Sequence, residues 1–224
     1  MKRVCIVCEG QTEEAFVRTV LAPAFYNIGL QLEPQMIATS AGHKGGALNY
    51  DRVKQHLRNT LRQKSAPVVT TFFDFYKLDK RFPGFEEASK LGSLENKLQV
   101  LESNLHRDIV QLAECRSERF IAYIQPYEFE ALLFSDIEAL IQLETEWAKA
   151  KAVLLKIKNT AQSPEHINDK PETKPAAHLE REFTCPKYRK TRHGPIAAQK
   201  MGLAKIETEC AFFAAWLNKI RLIA

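Results

Sequence analysis

The sequence predicts an α/β protein with a parallel sheet, because short apolar runs of strand type alternate with helical patterns. Three such runs, residues 3–8, 68–73 and 120–124, contain almost no polar alternation, as is typical of strands buried on both faces of a parallel sheet. Helices between them would act as right-handed crossovers, so the strands would run in one direction. The predicted fold class is a Rossmann-like parallel sheet flanked by helices, with a helical, basic C-terminal extension.

The segments around these runs supply the remaining predicted elements. A further strand is predicted within residues 31–39. Helical periodicity predicts helices over residues 11–21, 51–63, 91–113, 129–134, 136–143, 146–158 and 195–223, the last with a break at Gly202. Three prolines make residues 159–178 an extended polar connection. We therefore divide the chain into an α/β core, residues 1–158, and residues 159–224, a proline-rich connection and basic helical extension packed on that core.

The composition indicates a folded protein with no membrane span. With 224 residues, 45% of them hydrophobic, the chain is long enough to bury one substantial core. No apolar stretch approaches the roughly 20 residues of a membrane-spanning helix, and Glu9 interrupts the N-terminal apolar run, unlike a signal peptide. We expect a soluble, cytoplasmic protein.

The cysteines do not indicate a disulfide framework, because there are five of them and they are widely scattered. Cys5 and Cys8 have the spacing of a zinc or redox pair. Residues three apart on a strand point to opposite faces of the sheet, however. We therefore predict that both are buried core cysteines.

Carboxylates follow each of the three strand-type runs. Glu9 follows the first run, Asp74 the second, and Glu128 and Glu130 come shortly after the third. Because the carboxyl ends of parallel strands meet at one edge of a sheet, these acids should lie close together. Clustered like charges repel unless a cation holds them, and carboxylate oxygens suit Mg²⁺ or Mn²⁺. The pattern predicts a divalent metal site and a candidate Mg²⁺ enzyme.

Spacing also suggests which acids would hold the metal. Gly10 permits a tight turn, so Glu13 in the first helical turn can face the same site as Glu9. Alternatively, Glu13 is a helix N-terminal acid favoured by the helix dipole. Glu128 and Glu130 share a face on a strand but not on a helix, so we expect one of them to be a ligand. Glu128, nearer the strand end, is the first choice and Glu130 the second.

The segment Glu9-Gly10-Gln11-Thr12-Glu13 resembles the first motif of TOPRIM domains, a strand–Glu-Gly–helix turn. More closely, the chain resembles a bacterial TOPRIM-like family of unknown function. The matching segments are residues 9–13, 43–46, 73–76, 82–84, 123–125, 128–134 and 188–194. The resemblance implies a four-stranded TOPRIM-type sheet and a metal-dependent nuclease related to the overcoming-lysogenization-defect nucleases. It also implies a neighbouring ATPase in phage-defence or mobile-element loci.

One motif departs from the TOPRIM pattern. The second motif is usually Asp-x-Asp, but here it reads Asp74-Phe75-Tyr76. Asp79 lies too far along the loop to replace the missing acid. The departure puts two-metal chemistry in doubt and gives Glu128 or Glu130 more weight as a ligand.

Basic residues outside the sheet are the candidate phosphate contacts. His43 and Lys44 precede two glycines and form either a phosphate cradle or a plain turn, without the spacing of a Walker A loop. Residues 181–200 contain seven basic residues against a single acid, Glu182. This basic tail either binds nucleic acid or is a solvated loop. The basic residues are Arg181, Lys187, Arg189, Lys190, Arg192, His193 and Lys200.

These residues favour a metal-dependent nuclease acting on DNA or RNA. Glu9 and Asp74 would be catalytic through the metal, and Lys190 would stabilise charge on the scissile phosphate, as a lysine outside the sheet core does in TOPRIM-type nucleases. Arg189, Arg192 and His193 would bind nucleic acid.

Two alternative functions remain from the sequence. One is a non-catalytic, nucleic-acid-binding or regulatory subunit of an ATPase partner, which the replacement of an acid by Tyr76 favours. The other is a helix-turn-helix around Gly202, although residues 211–217 are too apolar for a groove-exposed recognition helix.

Overall fold

A computed structural model shows an α/β fold and describes residues 1–37, 48–76, 78–167 and 170–224. The strands run parallel in the order β2-β1-β3-β4, and β5 also pairs with β3. They are β1 (Lys2–Cys8), β2 (Leu30–Met36), β3 (Val68–Asp74), β4 (Phe120–Ile121) and β5 (Ile124–Gln125). The predicted Rossmann-like class, a parallel sheet flanked by helices, is confirmed.

Helices surround the sheet along the whole chain. The α-helices are α1 (Gln11–Phe16), α2 (Ala22–Tyr26), α3 (Tyr50–Leu61), α4 (Phe85–Ser89), α5 (Leu94–Ala113), α6 (Ile137–Ile141), α7 (Lys151–Thr160), α8 (Pro175–Glu182), α9 (Lys190–Met201), α10 (Leu203–Glu209) and α11 (Ala211–Arg221). The π-helical segment Val17–Leu21 joins α1 to α2. Short 3₁₀-helices occur at Ser117–Arg119, Phe129–Ser135, Thr145–Ala150 and Pro164–His166. In the described part of the chain, no helix combines the length and apolar character needed to cross a bilayer.

The apolar run of β1 is buried on both faces of the sheet. Val4, Ile6 and Cys8 belong to one hydrophobic cluster, whereas Cys5 and Val7 belong to the other. This alternation follows from the two-residue period of a strand. Cys5 and Cys8 therefore lie on opposite faces as buried core residues, as predicted.

The third strand-type run forms two short strands rather than one. Threonine hydroxyls of β3 bond the backbone of this run: Thr70 Oγ1 donates to the Ile121 carbonyl at 2.7 Å, and Thr71 Oγ1 donates to the Tyr123 carbonyl at 2.8 Å. The Tyr123 N–H in turn donates to Thr71 Oγ1 at 2.8 Å. Between β4 and β5, the two threonine hydroxyls therefore take the place of backbone hydrogen bonds to β3. Sequence periodicity alone does not reveal this interruption.

The C-terminal helices cover one face of the sheet. Phe213 and Trp216 of α11 belong to the same cluster as Ile6 and Phe72 of the sheet. The indole Nε1 of Trp216 donates to Thr70 Oγ1 at 2.8 Å, and the indole stacks on Tyr123 with ring centroids 4.4 Å apart. The large apolar residues Phe213, Trp216 and Leu217 of this segment are therefore buried in the core, and the segment is not a groove-exposed recognition helix.

Candidate functional site

The first two acids lie side by side where β1 and β3 end. Cys8 of β1 pairs with Phe72 of β3, so the residues that follow them emerge at the same edge of the sheet. Glu9 Oε2 accepts a hydrogen bond from the backbone N–H of Asp74 at 3.3 Å. Glu9 is half-buried, whereas Asp74 is 8% exposed. The parallel register therefore brings together two acids that are 65 residues apart in the chain.

The turn after β1 adds Glu13 to this edge. Gly10 is the N-cap of α1 with φ −150° and ψ −175°, an extended conformation that any residue adopts. Its small size matters instead, because a Cβ there would lie 3.2 Å from Glu13 Oε2. A larger residue at this position would crowd the Glu13 carboxylate, so the small size of glycine favours the tight turn. Glu13 is 6% exposed and carries its carboxylate back toward the strand end.

A backbone hydrogen bond brings the remaining two acids to the same edge. Asp74 Oδ1 accepts from the backbone N–H of Phe129 at 2.9 Å, which holds the 3₁₀-helix Phe129–Ser135 against the end of β3. Glu128 and Glu130 flank Phe129 and are 3% and 0% exposed. We call the five acids together the acidic edge: Glu9, Glu13, Asp74, Glu128 and Glu130.

Two lysines from the C-terminal third neutralise part of the acidic edge. Lys174 Nζ lies 2.6 Å from Glu128 Oε1, and the backbone N–H of Ala176 donates to Glu128 Oε2 at 3.1 Å. Lys190 Nζ lies 3.0 Å from Glu130 Oε2. Glu128 and Glu130, the two alternative ligands from the sequence, are therefore each paired with a lysine.

Close packing of α9 on α1 places Lys190. Gly194, one turn after Lys190, has no room for a side chain: a Cβ there would lie 3.0 Å from Phe129 Cε1 and 3.2 Å from Thr12 Cγ2. Glycine thus allows α9 to approach both the 3₁₀-helix and α1. Lys190 in the first turn of α9 consequently points its ammonium group at the acidic edge.

Burial and mutual repulsion raise the pKa values of Glu9, Glu13 and Asp74, which form no ion pair with a described residue. Burial and the charge of Glu13 raise the pKa of Glu9 to about 7. Burial and the charges of Glu13 and Glu9 raise the pKa of Asp74 well above its usual value. Burial also raises the pKa of Glu13, although backbone N–H groups and Lys190 act in the opposite direction. A cation bound here would favour the ionised form of all three.

Lys190 stays protonated because of the carboxylates around it. Burial alone would lower the pKa of Lys190, but Glu130, Asp74 and Glu128 together raise it above its usual value. Burial raises the pKa of Glu130 to about 7 despite Lys190. Among the described residues, the buried hydroxyl of Tyr188 makes no well-directed hydrogen bond, although the charge of Glu130 contributes to its raised pKa. The carboxylates thus favour the protonated form of Lys190, which can stabilise negative charge.

The acidic edge has the chemistry of a hard-cation site without a preformed three-ligand centre. Within the described ranges, no three Asp, Glu, His or Cys side chains form a group that could hold a metal ion. Glu9, Glu13 and Asp74 nevertheless form no ion pair with a described residue, in contrast to Glu128 and Glu130. Mg²⁺ commonly uses one or two protein carboxylates and takes its other ligands from water and substrate phosphate. The donor set therefore fits Mg²⁺ or Mn²⁺.

The predicted nucleic-acid contacts differ in exposure. Arg189 and Arg192 are exposed, beside Lys190 at the start of α9. His193 is 3% exposed, accepts at Nδ1 from the backbone N–H of Arg189 at 2.8 Å, and contacts Trp147 edge-on. Its buried ring has no open face toward a ligand, so this placement gives no support to a nucleic-acid contact by His193. His43 and Lys44 lie outside the described residues.

A cavity of about 740 Å³ lies away from the acidic edge, between α5 and α11. Leu98, Phe120 and Trp216 are among the residues that line it. Its lining is mostly apolar, and its acids, among them Glu102 with Lys219 Nζ 4.0 Å from Oε2, do not lie at the carboxyl ends of the strands. We therefore base the function on the acidic edge.

Sequence reasoning missed Lys174 and Tyr188 as members of the site. Lys174 lies in the proline-rich connection, where no periodicity marks a functional position. Pro175 directly after it is a signal for a helix start, and a lysine at the N-cap position is unusual because the helix dipole disfavours a cation there. A lysine directly before a helix-starting proline therefore indicates that a carboxylate lies nearby and compensates the charge of the lysine.

The fold and the acidic edge define an α/β protein with a charged cluster at the carboxyl ends of a parallel sheet. The family model described as "Domain of unknown function (DUF4276)" matches residues 8–221. The chain therefore belongs to the DUF4276 family. No curated protein and no solved structure matches it.

Proposed function

We propose that the protein is a TOPRIM-type, divalent-metal-dependent nuclease that hydrolyses phosphodiester bonds in DNA or RNA. The observation that carries the proposal is the set of three acids that form no ion pair with a described residue, Glu9, Glu13 and Asp74, beside Lys190, whose ammonium group pairs with Glu130. Open α/β sheets bind their ligands at this edge. The resemblance to TOPRIM nucleases supports the same reaction and adds a phage-defence role and a neighbouring ATPase to the proposal.

Each part of the site has a role in this reaction. Two of the acids Glu9, Glu13 and Asp74 would hold Mg²⁺ or Mn²⁺, with water and substrate phosphate as the other ligands, and the ion would supply Lewis-acid stabilisation of the phosphate when bound. Lys190 would stabilise the charge that develops on the phosphate, because its ammonium group lies at the acidic edge, 3.0 Å from Glu130 Oε2, and the side chain is partly exposed. The exposed Arg189 and Arg192 would bind the flanking phosphates.

A cleavage assay with the variant Glu9→Gln tests the proposal. Wild-type protein should cut plasmid DNA or RNA in the presence of Mg²⁺ or Mn²⁺, alone or with the adjacent ATPase. Glu9→Gln should lose at least a hundredfold in cleavage rate while binding nucleic acid as tightly as wild type, since the arginines supply the phosphate contacts. Gel electrophoresis measures cleavage, and fluorescence anisotropy measures binding.

Glu118→Gln is the matched control for this experiment. Glu118 is an exposed acid just before β4, at the opposite edge of the sheet. The same change of charge there should leave cleavage within twofold of wild type. Cleavage that survives Glu9→Gln in a highly purified sample would overturn the proposed site.

A second candidate function is a non-catalytic, nucleic-acid-binding or regulatory subunit of an ATPase partner. It is favoured by the pairing of Glu128 and Glu130 with lysines and by the lack of a three-ligand metal group among the described side chains. Wild-type protein that binds nucleic acid but never cuts it, even with the ATPase, would select this function.

A further inference from the structure

The cavity between α5 and α11 opens along a free edge of the sheet. Among the described strands, β4 and β5 are the last on this side, and both pair with β3. Leu98 of α5 and Trp216 of α11 belong to the hydrophobic clusters on opposite faces of the sheet, and both line the cavity. The cavity of about 740 Å³ therefore continues the plane of the sheet, with apolar side chains above and below it.

Ala122, between β4 and β5, turns its backbone polar groups toward this cavity. The register against β3 is the same in β4 and β5, so the chain stays extended through Ala122. The carbonyls of Ile121 and Tyr123 accept hydrogen bonds from threonines of β3. Because the backbone groups of successive residues in an extended chain point to alternate sides, those of Ala122 point away from β3. Ala122 accordingly lines the cavity.

These backbone groups of Ala122 lack a partner within the part of the chain that the structure describes. Neither the N–H nor the carbonyl forms a hydrogen bond there, although Ala122 is only 6% exposed. Backbone polar groups at such buried positions are almost always paired with protein, water or a ligand. The cavity wall therefore offers one donor and one acceptor side by side.

Glu102 of α5 adds a second acceptor next to Ala122. Its Oε1 accepts from the backbone N–H of Ile124 at 3.0 Å, two residues along the same free edge. Its Oε2 forms no hydrogen bond with a described residue, and Lys219 Nζ lies 4.0 Å away on a side chain that is 55% exposed. Burial raises the pKa of Glu102 to about 7, so the carboxylate is mostly ionised at pH 8.

This pattern of donors and acceptors defines the chemistry of a ligand. The Ala122 N–H requires an acceptor, whereas the Ala122 carbonyl and Glu102 Oε2 require donors. A ring nitrogen next to an amino group supplies all three, because the two hydrogens of the amino group reach two acceptors. A flat aromatic ring suits a cavity that continues the sheet between apolar side chains, and the volume lies within the roughly 300–1,000 Å³ of small-ligand sites.

We infer that this cavity is a binding site for a nucleobase with a ring nitrogen next to an amino group, as in adenine and cytosine. Ala122 binds the ring nitrogen through its N–H, and its carbonyl and Glu102 accept from the amino group. The base belongs either to a free nucleoside or nucleotide or to an unpaired position in a nucleic-acid strand. The inference goes beyond the proposed nuclease and does not depend on it, since neither a metal ion nor the acidic edge takes part.

Calorimetric titration of the full chain with nucleosides at pH 8 in EDTA tests the inference. Adenosine or cytidine should bind with a Kd below about 1 mM. Inosine and uridine should bind at least about tenfold more weakly, because a protonated ring nitrogen and a carbonyl replace the acceptor and the amino group, and buried polar groups stay unpaired. EDTA excludes any contribution from a divalent ion.

Two variants locate the binding. Glu102→Gln keeps an oxygen for the Ile124 N–H but turns an amide N–H₂ toward the ligand, and should weaken binding at least about tenfold. Ala215 is an exposed residue of α11 that lines the cavity, so Ala215→Leu should block entry. Ala211→Leu is the matched control, because Ala211 is exposed on the same helix and is not among the cavity-lining residues. It should bind as tightly as wild type.

The outcomes decide the inference and the source of the base. No binding of adenosine or cytidine by wild type at millimolar concentrations overturns it, as does equal affinity for adenosine and inosine. Unchanged affinity in Glu102→Gln or in Ala215→Leu also overturns it; if Glu102→Gln does not fold, Ala215→Leu decides. A single-stranded oligo(dA) that displaces the bound nucleoside supports a base within a strand, and one that does not supports a free nucleoside or nucleotide. None of these results alters the cleavage test of the proposed function.

Discussion

The ion pair between Lys190 and Glu130 combines a stabilising contact with the proposed chemistry. Glu130 is 0% exposed and the Lys190 side chain is 38% exposed, so the pair lies at the boundary between the core and solvent. Loss of one partner in such a pair leaves the other charge partly desolvated. The same lysine therefore stabilises the fold and keeps a positive charge beside the acidic edge.

A double-mutant cycle on this pair measures the stabilising contact. Lys190→Met should lower the free energy of unfolding by about 2 kcal/mol, less than the ~3–5 kcal/mol for a fully buried pair because solvent screens Lys190. Lys190→Met combined with Glu130→Gln should recover at least half of the loss, since no buried charge is then left unpaired. Urea unfolding measures both. Additive effects of the two single changes would show that the residues do not interact.

The sequence predicted the acids better than their partners. Glu9 and Asp74 are recognisable because each directly follows an apolar strand, and a parallel sheet then dictates their common edge. Lys174 and Glu128 are 46 residues apart, and neither periodicity nor spacing relates them. Their pairing depends on how the proline-rich connection returns to the sheet, which is a property of the tertiary fold.

At the scale of elements, a buried acid from the proline-rich connection fixes α11 on the sheet. Glu165 is 0% exposed, and its two carboxylate oxygens accept from the backbone N–H groups of Phe212 and Phe213, each at 2.9 Å. These N–H groups lie in the first turn of α11 and have no partner within the helix. A side chain 47 residues earlier thus caps the helix that covers one face of the sheet.

Removal of this cap should destabilise the protein measurably. Glu165→Ala leaves two N–H groups of α11 without partners, and we expect it to lower the free energy of unfolding by about 2 kcal/mol. Glu165→Gln keeps one carbonyl oxygen and should cost about half as much. The exposed Glu172 gives the control, because Glu172→Ala should change stability by less than about 0.5 kcal/mol. Equal stabilities for Glu165→Ala and wild type in urea would contradict the capping role.

Element types were more predictable than element boundaries. The apolar runs and the helical periodicity predicted β1, β3 and α5, because the burial of one regular face is encoded in the local sequence. The division of the third run into β4 and β5 was not predictable, since it depends on the Thr70 and Thr71 hydroxyls of a neighbouring strand. Tertiary hydrogen bonds of this kind leave no periodic signal.

At the scale of the whole molecule, buried acids should make stability depend on pH. Burial is the largest cause of the pKa values of about 7 at Glu9, Glu102, Glu130 and Glu165, against an ordinary value of 4.5. These four acids therefore bind more protons in the folded protein than in the unfolded chain between pH 4.5 and about 7. The stabilisation that these acids contribute is complete below pH 4.5 and is lost as the pH rises through about 7.

The melting temperature should consequently fall between pH 6.5 and pH 8. Each group with a folded pKa near 7 contributes about 0.8 kcal/mol to this loss, so a fall of at least about 3 °C is expected. The buried histidines, whose pKa values are lowered, act mainly below pH 6.5 and do not offset it. Glu102→Gln, outside the acidic edge, should make the fall smaller. A melting temperature that is constant or rises across this window, measured by differential scanning fluorimetry, would refute the argument.

Divalent ions should reverse part of this loss. At pH 8 Glu9, whose pKa is about 7, is mostly ionised, so millimolar Mg²⁺ or Mn²⁺ should raise the melting temperature by binding at the acidic edge and stabilising the folded state. At pH 5.5 protons compete for the same carboxylates, and the increase should be smaller. Asp74→Asn should abolish the increase. A wild-type melting temperature that does not change on addition of either ion at pH 8 would count against metal binding without substrate.

The central position of β1 determines how the chain is able to fold during synthesis. β1 is made before both of its neighbours, and β3 ends only at Asp74. Trp216, which contacts Thr70 on the apolar face of the sheet, is made 146 residues after that threonine. Contacts between such distant segments form slowly, and unpaired apolar strands invite aggregation. We expect the nascent chain to need chaperone protection of β1 and β3 until α11 has emerged from the ribosome.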